Sequence, residues 1–150
     1  MKRLWLILLP IIFIGCKGTN NIPTLAKAPD RLSIYEKAEI ITGTSSAILK
    51  GIARTESGEC DNAIGDDGIS VGRFQWNTKC LPYFWAKYGY FDPHDGFMSA
   101  VRTGQLYQDN LKILGSRDLA IAAHKQGPTG VKKHGPCQWY VERVRSEYAR

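Results

Sequence analysis

Residues 48–77, ILKGIARTESGECDNAIGDDGISVGRFQWN, constrain this chain most: an apolar helical period stops at Gly58, and a loop with Gly65, Gly68 and Gly72 follows at once. A helix of 3.6 residues per turn places residues four, seven and eight apart on one face. Counting back from Glu56, those positions are Ile52, Leu49 and Ile48. The spacing therefore predicts a helix whose apolar face ends on a carboxylate, one turn from a glycine stop. Partial desolvation and the negative end of the helix dipole both favour the protonated acid there. A carboxylic acid that keeps its proton suits general-acid catalysis. The bland alternative is a surface glutamate beside Arg54.

The loop strengthens the catalytic reading. Its glycines permit positive φ and close backbone approach, and they lead into Phe74, Gln75 and Trp76, an amide between two aromatics. Sugars stack their ring faces on aromatics and hydrogen-bond to amides, so this composition suits a saccharide.

TESG, GISVGRFQ and LAIAAHKQGPTGV resemble, in order and spacing, the three signature blocks of the lysozyme-like lytic transglycosylases. Those blocks are an E-S-G that ends a helix, a G-L-M-Q loop and an A-Y-N-A-G-P turn. The resemblance covers about residues 32–131. It implies an all-α, lysozyme-like fold, with room for a small irregular or β region in the loop, and cleavage of peptidoglycan. It also implies Glu56 as the catalytic acid and base, with Ser57, Ser70, Phe74, Gln75, His124, Lys125 and Gly127 around the substrate. Gly72 and Pro128 fall on family positions too. Two residues depart from the pattern: His124 stands where the family has Tyr, and Lys125 where it has Asn. The Tyr is expected to bond the acid and the Asn to hold an N-acetyl sugar, so His124 is expected to take the tyrosine's place against Glu56. Invertebrate-type lysozymes are similar in the same blocks.

At the start of the chain, Met1-Lys2-Arg3 and the apolar run 4–14 read as a secretory signal. The run is too short for a bilayer, which takes about 20 apolar residues, and an uncleaved anchor is the alternative. Gly15-Cys16 closes it in the manner of a bacterial lipoprotein, with Phe13 where Leu is usual. Cleavage before Cys16 would leave a lipidated cysteine that anchors the chain in the cell envelope as a periplasmic or outer-membrane lipoprotein. Residues 17–30 are polar, contain proline and lack an apolar period, as a tether would. The remaining residues 31–150 match one domain with one core, expected to act as a monomer.

Within that domain Ile34, Ala38 and Ile41 predict a first helix ended by Gly43, with Thr44 or Ser45 capping the next. Residues 83–90 suit either a short helix or an irregular aromatic wall, and at most two of Trp76, Phe84, Trp85, Tyr88 and Tyr90 are assigned to a groove. Asp92 or Asp95 caps a helix through Phe97, Val101, Gly104, Tyr107, Leu111 and Leu114, ended by Gly115. Ser116 opens a short helix ending at Gly127-Pro128, and a final helix spans 138–148.

The histidines His94, His124 and His134 lack metal-ligand spacing, no cofactor is implied, and nothing resembles a phosphate-binding loop. Loss of Lys2 and Arg3 takes the 20 basic residues to 18 against 14 acidic, a net +4. That balance suits an anionic partner such as peptidoglycan, and no basic cluster points to nucleic acid. Without Cys16, the cysteines Cys60, Cys80 and Cys137 are an odd set in an oxidising compartment. A Cys60–Cys80 link would bracket the loop and add roughly 3 kcal/mol by chain-entropy reasoning, with Cys137 as the competing partner.

A single glutamate suffices for a transglycosylase, in which the muramic acid 6-hydroxyl attacks the anomeric carbon and leaves a 1,6-anhydro end. The alternatives are a hydrolase with Asp66 or Asp67 as second carboxylate, since water-using glycosidases generally pair two, and a non-catalytic peptidoglycan-binding protein.

Overall fold

The computed structural model describes residues 31–148; the signal, Cys16 and the tether lie outside the described residues. The described chain is all-α with one small β region: α1 (Ile34–Thr42), α2 (Ser46–Ser57), β1 (Ile64–Gly65), β2 (Ser70–Val71), β3 (Trp76–Asn77), α3 (Leu81–Tyr88), α4 (Gly96–Leu114), α5 (Arg117–His134) and α6 (Gln138–Tyr148). None of these helices is long and apolar enough to cross a membrane.

Local chemistry sets the helix limits. Ser33 and Glu36 form a reciprocal capping box at the start of α1, and Gly43 ends it in the left-handed conformation. Ser45 is the N-cap of α2, but its hydroxyl makes no capping bond. The Glu39 carboxylate of α1 instead accepts the Ser46 N–H at 2.9 Å, so one helix caps its neighbour. Thr44 faces inward and donates to the Gly104 carbonyl of α4 at 2.9 Å. Asp95, not Asp92, caps α4 by accepting from the Phe97 and Met98 amides at 3.0 Å. The aromatic stretch after the loop forms α3.

The helix that Ser116 opens breaks at Gly127-Pro128 as expected, and a second helical segment follows directly. Gly127 adopts φ 67° and ψ 159°, breaking the helical path, and the chain then resumes helical turns to His134. Proline suits the first position of the resumed segment because its missing N–H would lack a partner there anyway.

The three strands form one antiparallel sheet in the order β1-β2-β3, with Ile64 opposite Val71 and Val71 opposite Trp76. It is a folded-back loop at the foot of α2. Phe74, just before the third strand, and Trp76 within it enter the core, where they join Leu49 and Ile52 of α2, Ala120–Ala123 of α5, and Tyr140, Val141 and Val144 of α6.

The approach of α2 to α6 depends on Gly51. A Cβ built there would lie 2.7 Å from the Val144 carbonyl oxygen and 2.8 Å from the Tyr148 ring. Alanine is the better helix former by about 1 kcal/mol. Yet a backbone carbonyl cannot rotate away, and overpacking costs about 1–3 kcal/mol. Gly51→Ala is therefore expected to lower the urea midpoint; an unchanged or higher midpoint would show that the helices have room to separate.

Candidate active site

Glu56 lies in the last turn of α2, on the wall of a cleft of about 720 Å³. The cleft is lined from the loop by Asp66, Ser70, Phe74, Gln75, Trp76 and Asn77, and from the broken end of α5 by His124, Lys125, Gln126, Gly127 and Pro128. Thus parts of all three sequence blocks meet in one cavity, although their residues are up to 72 positions apart in the chain.

The Glu56 side chain is 18% exposed. Its Oε1 accepts a hydrogen bond of 2.5 Å from the Tyr140 hydroxyl of α6. Among the described residues Oε2 has no hydrogen-bond partner. Burial, then the nearby Glu56 charge, push the Tyr140 hydroxyl well above its ordinary pKa, so it stays protonated and acts only as a donor to the acid.

This corrects the expectation for His124. Its Nε2 is 4.0 Å from Glu56 Oε1, beyond hydrogen-bonding distance, and lies 3.1 Å from the Phe74 carbonyl oxygen. A carbonyl only accepts, so Nε2 carries a proton and donates to the loop. His124 joins α5 to the β region, and Tyr140, 84 residues from Glu56 in sequence, takes the place against the acid. The signal for Tyr140 was present: it stands four residues before Val144, on the buried face of α6, and a buried tyrosine hydroxyl usually finds a partner.

Two further residues play different parts from those expected. Ser57 does not line the cleft. As the residue after Glu56 it points about 100° around the helix, donating to the Arg73 carbonyl at 2.7 Å and accepting the Cys60 N–H at 3.1 Å. The serine therefore fastens the loop to the foot of α2. The Phe74 ring is fully buried and offers no face for stacking; its carbonyl holds His124.

Gln75 keeps its place in the cleft through backbone geometry. It adopts φ 49°, and its Nε2 donates to the Gly72 carbonyl at 2.9 Å. Its Oε1 occupies the space a Cβ on Gly65 would need, so any larger residue there would displace the amide from this position. Ser70 donates to Asp66 at 2.9 Å. Asp66 faces the cleft while Asp67 does not line it, which narrows the second-carboxylate alternative to Asp66. Lys125 sets its ammonium over the rings of Trp139 at 5.1 Å and Tyr140 at 5.7 Å.

The outer side of the loop is clamped by charge. Arg73 donates to both oxygens of Asp61 at 2.6 and 3.2 Å and to the Tyr35 hydroxyl at 2.7 Å; Tyr35 in turn donates to Glu59 at 2.7 Å. Burial acts to raise the Glu59 pKa, but hydrogen bonds from Tyr35 and Arg54 outweigh it and hold the carboxyl below its ordinary range. This ion pairing keeps α1, α2 and the loop in register around the acid.

Of the aromatics, Trp76 is buried and donates to Ser99 at 2.8 Å. Tyr83 and Phe84 bring the aromatic surface of α3 to the cleft. Cys60, Cys80 and Cys137 are free thiols in the segments that precede β1, α3 and α6, so the Cys60–Cys80 link considered from the sequence is not formed. No cluster of three metal-ligating side chains occurs among the described residues. No protein-family model matches this chain, and no curated protein matches it.

Proposed function

We propose that this chain is a peptidoglycan-cleaving glycosidase with a lysozyme-like catalytic domain, acting as a lytic transglycosylase on the β-1,4 bond between N-acetylmuramic acid and N-acetylglucosamine. The observation that carries the reading is Glu56: a partly buried acid at the wall of a groove, one oxygen fixed by Tyr140 and the other without a partner among the described residues. The resemblance of the ESG, GISVGRFQ and Gly127-Pro128 blocks to the transglycosylase signatures supplies the substrate class.

In this mechanism protonated Glu56 gives its proton to the glycosidic oxygen as the bond to the anomeric carbon breaks. The resulting carboxylate then takes the proton of the muramic acid 6-hydroxyl while that oxygen bonds to the anomeric carbon, closing the 1,6-anhydro ring. Water is not consumed, and Glu56 ends the cycle protonated. The Tyr140 hydroxyl stabilises the carboxylate formed after the first step and fixes the plane of the carboxyl group throughout. Gln75 and Ser70 form the polar side of the groove, and Lys125 adds positive charge for an anionic glycan. The N-terminal segment, with its Gly15-Cys16 junction, would tether the domain to a membrane of the bacterial envelope.

Asp66 supports a second reading. As a carboxylate on the loop wall of the same cleft it is placed to activate water, which would make the enzyme a muramidase. Mass spectrometry of peptidoglycan digested by the full chain separates the readings. Anhydromuramic ends support the transglycosylase, and reducing ends support the hydrolase. Binding to intact sacculi with no released fragments would replace both with a non-catalytic wall-binding protein.

A further inference from the structure

Two lysines line the cleft, Lys87 and Lys125. Lys87 is held at 2.8 Å by Asp109, whereas Lys125, exposed at the broken end of α5, makes no ion pair among the described residues. Its ammonium is nevertheless positioned, 5.1 Å from the centre of the Trp139 ring and 5.7 Å from that of Tyr140. Aromatic faces attract the positive charge without presenting an oxygen to its three N–H donors. The cation is thus in place before a ligand arrives, with its hydrogen bonds still to be made.

Tyr140 ties this cation to the reacting bond. Its hydroxyl donates to Glu56 Oε1 while its ring lies beside Lys125, so acid and ammonium stand on either end of one tyrosine side chain. On the loop wall the cleft carries Asp66, which repels an anionic group and directs it toward α5. Glu56 does not oppose such a group while it holds the proton it delivers. A sugar whose anomeric carbon meets Glu56 can therefore carry a negative charge of its own to Lys125. In muramic acid that charge is the carboxylate of the lactyl ether on the same ring. It is a carboxylate only where the stem peptide is absent; with the peptide attached it is a neutral amide, and the remaining carboxylates lie further out along a flexible chain.

We propose that Lys125 is a specificity-determining residue that binds the lactyl carboxylate of a peptide-free muramic acid, so that this chain acts by preference on glycan strands already stripped of their stem peptides. This rests on the glycosidase reading of the cleft and deepens it. It places the chain after an amide hydrolysis, the class of reaction that converts the lactyl amide to a carboxylate.

The test is binding by the full chain carrying Glu56→Gln, so that nothing is turned over. The probes are a tetrasaccharide of alternating N-acetylmuramic acid and N-acetylglucosamine with free lactyl carboxylates, the same tetrasaccharide with those carboxyls as methylamides, and the same with stem peptides attached. The free carboxylate is expected to bind at least about 10-fold more tightly than the methylamide, the lower end of what a hydrogen bond to a charged group contributes. Lys125→Met, which keeps the apolar stem, is expected to erase that difference, and Lys125→Arg to keep it; a lysine that merely packs on the rings would change both probes alike. Lys125→Gln serves as the second variant if the methionine disturbs folding. Equal binding of carboxylate and methylamide by the parent, or a preference that survives loss of the charge, overturns the assignment of Lys125 and leaves the glycosidase reading standing. A peptide-bearing probe that binds most tightly, and loses that advantage in Lys125→Met, gives the lysine to a peptide carboxylate and overturns the lactyl assignment. Failure of the parent to bind any of the probes overturns the saccharide cleft, and this inference with it.

Discussion

Glu56→Gln is expected to abolish measurable release of glycan fragments while leaving the domain folded. The amide keeps the size of the side chain and can still accept the Tyr140 hydrogen bond at Oε1. It can neither protonate a leaving oxygen nor take a proton from the attacking hydroxyl. The loss should be at least the ~10²- to 10⁴-fold that general acid-base catalysis contributes, and larger if both proton transfers pass through this one residue. Stability should change by no more than about 1 kcal/mol, since relief at the negative end of the helix dipole offsets the weaker hydrogen bond that a neutral amide accepts from Tyr140. Activity retained by Glu56→Gln would remove the basis of the catalytic reading. Asp66→Asn is the accompanying control: full activity with anhydro ends supports a single-carboxylate route, whereas an equal loss assigns Asp66 a chemical role and favours water as the nucleophile.

The helical frame was legible in the sequence because its limits are written in local chemistry. Gly43, Gly58 and Gly115 all adopt the left-handed conformation that stops a helix, and Asp95 makes the cap its position suggests. The acid was legible for the same reason, since Ile48, Leu49 and Ile52 fix its face by spacing alone. Its partner was not. Periodicity tells that the Tyr140 face of α6 is buried, but which buried helix face meets Glu56 depends on α2 and α6 packing together, and that contact is enabled by a glycine, Gly51, with no pattern of its own. The two adjacent aromatics of the loop were equally opaque. Phe74 and Trp76 both turn inward because Gln75 between them takes a left-handed backbone conformation, which an asparagine or glycine would have advertised and a glutamine does not. Ser57 was misread by its motif, since the residue next to Glu56 on a helix points a different way.

Tyr140→Phe is expected to lower kcat by about 10- to 100-fold with little change in KM. The hydroxyl touches the acid and not the groove surface that Gln75 and Ser70 provide, so its removal should weaken the transition state without weakening substrate binding. The ring remains, with its packing against Trp139 and beneath Lys125, and the substitution changes volume by one atom. Folding stability should nonetheless fall by about 1.5–3 kcal/mol at a pH where Glu56 is ionised, because a largely buried carboxylate there loses a charge-assisted hydrogen bond. The double variant distinguishes this from a packing effect. With Gln at position 56 the bond joins two neutral groups, and Tyr140→Phe should then cost only about 0.5–1.5 kcal/mol. An equal cost in both backgrounds would make Tyr140 a packing residue. An unchanged kcat in the single variant would return the role to His124, whose bond to the Phe74 carbonyl would then have to break when substrate enters the cleft.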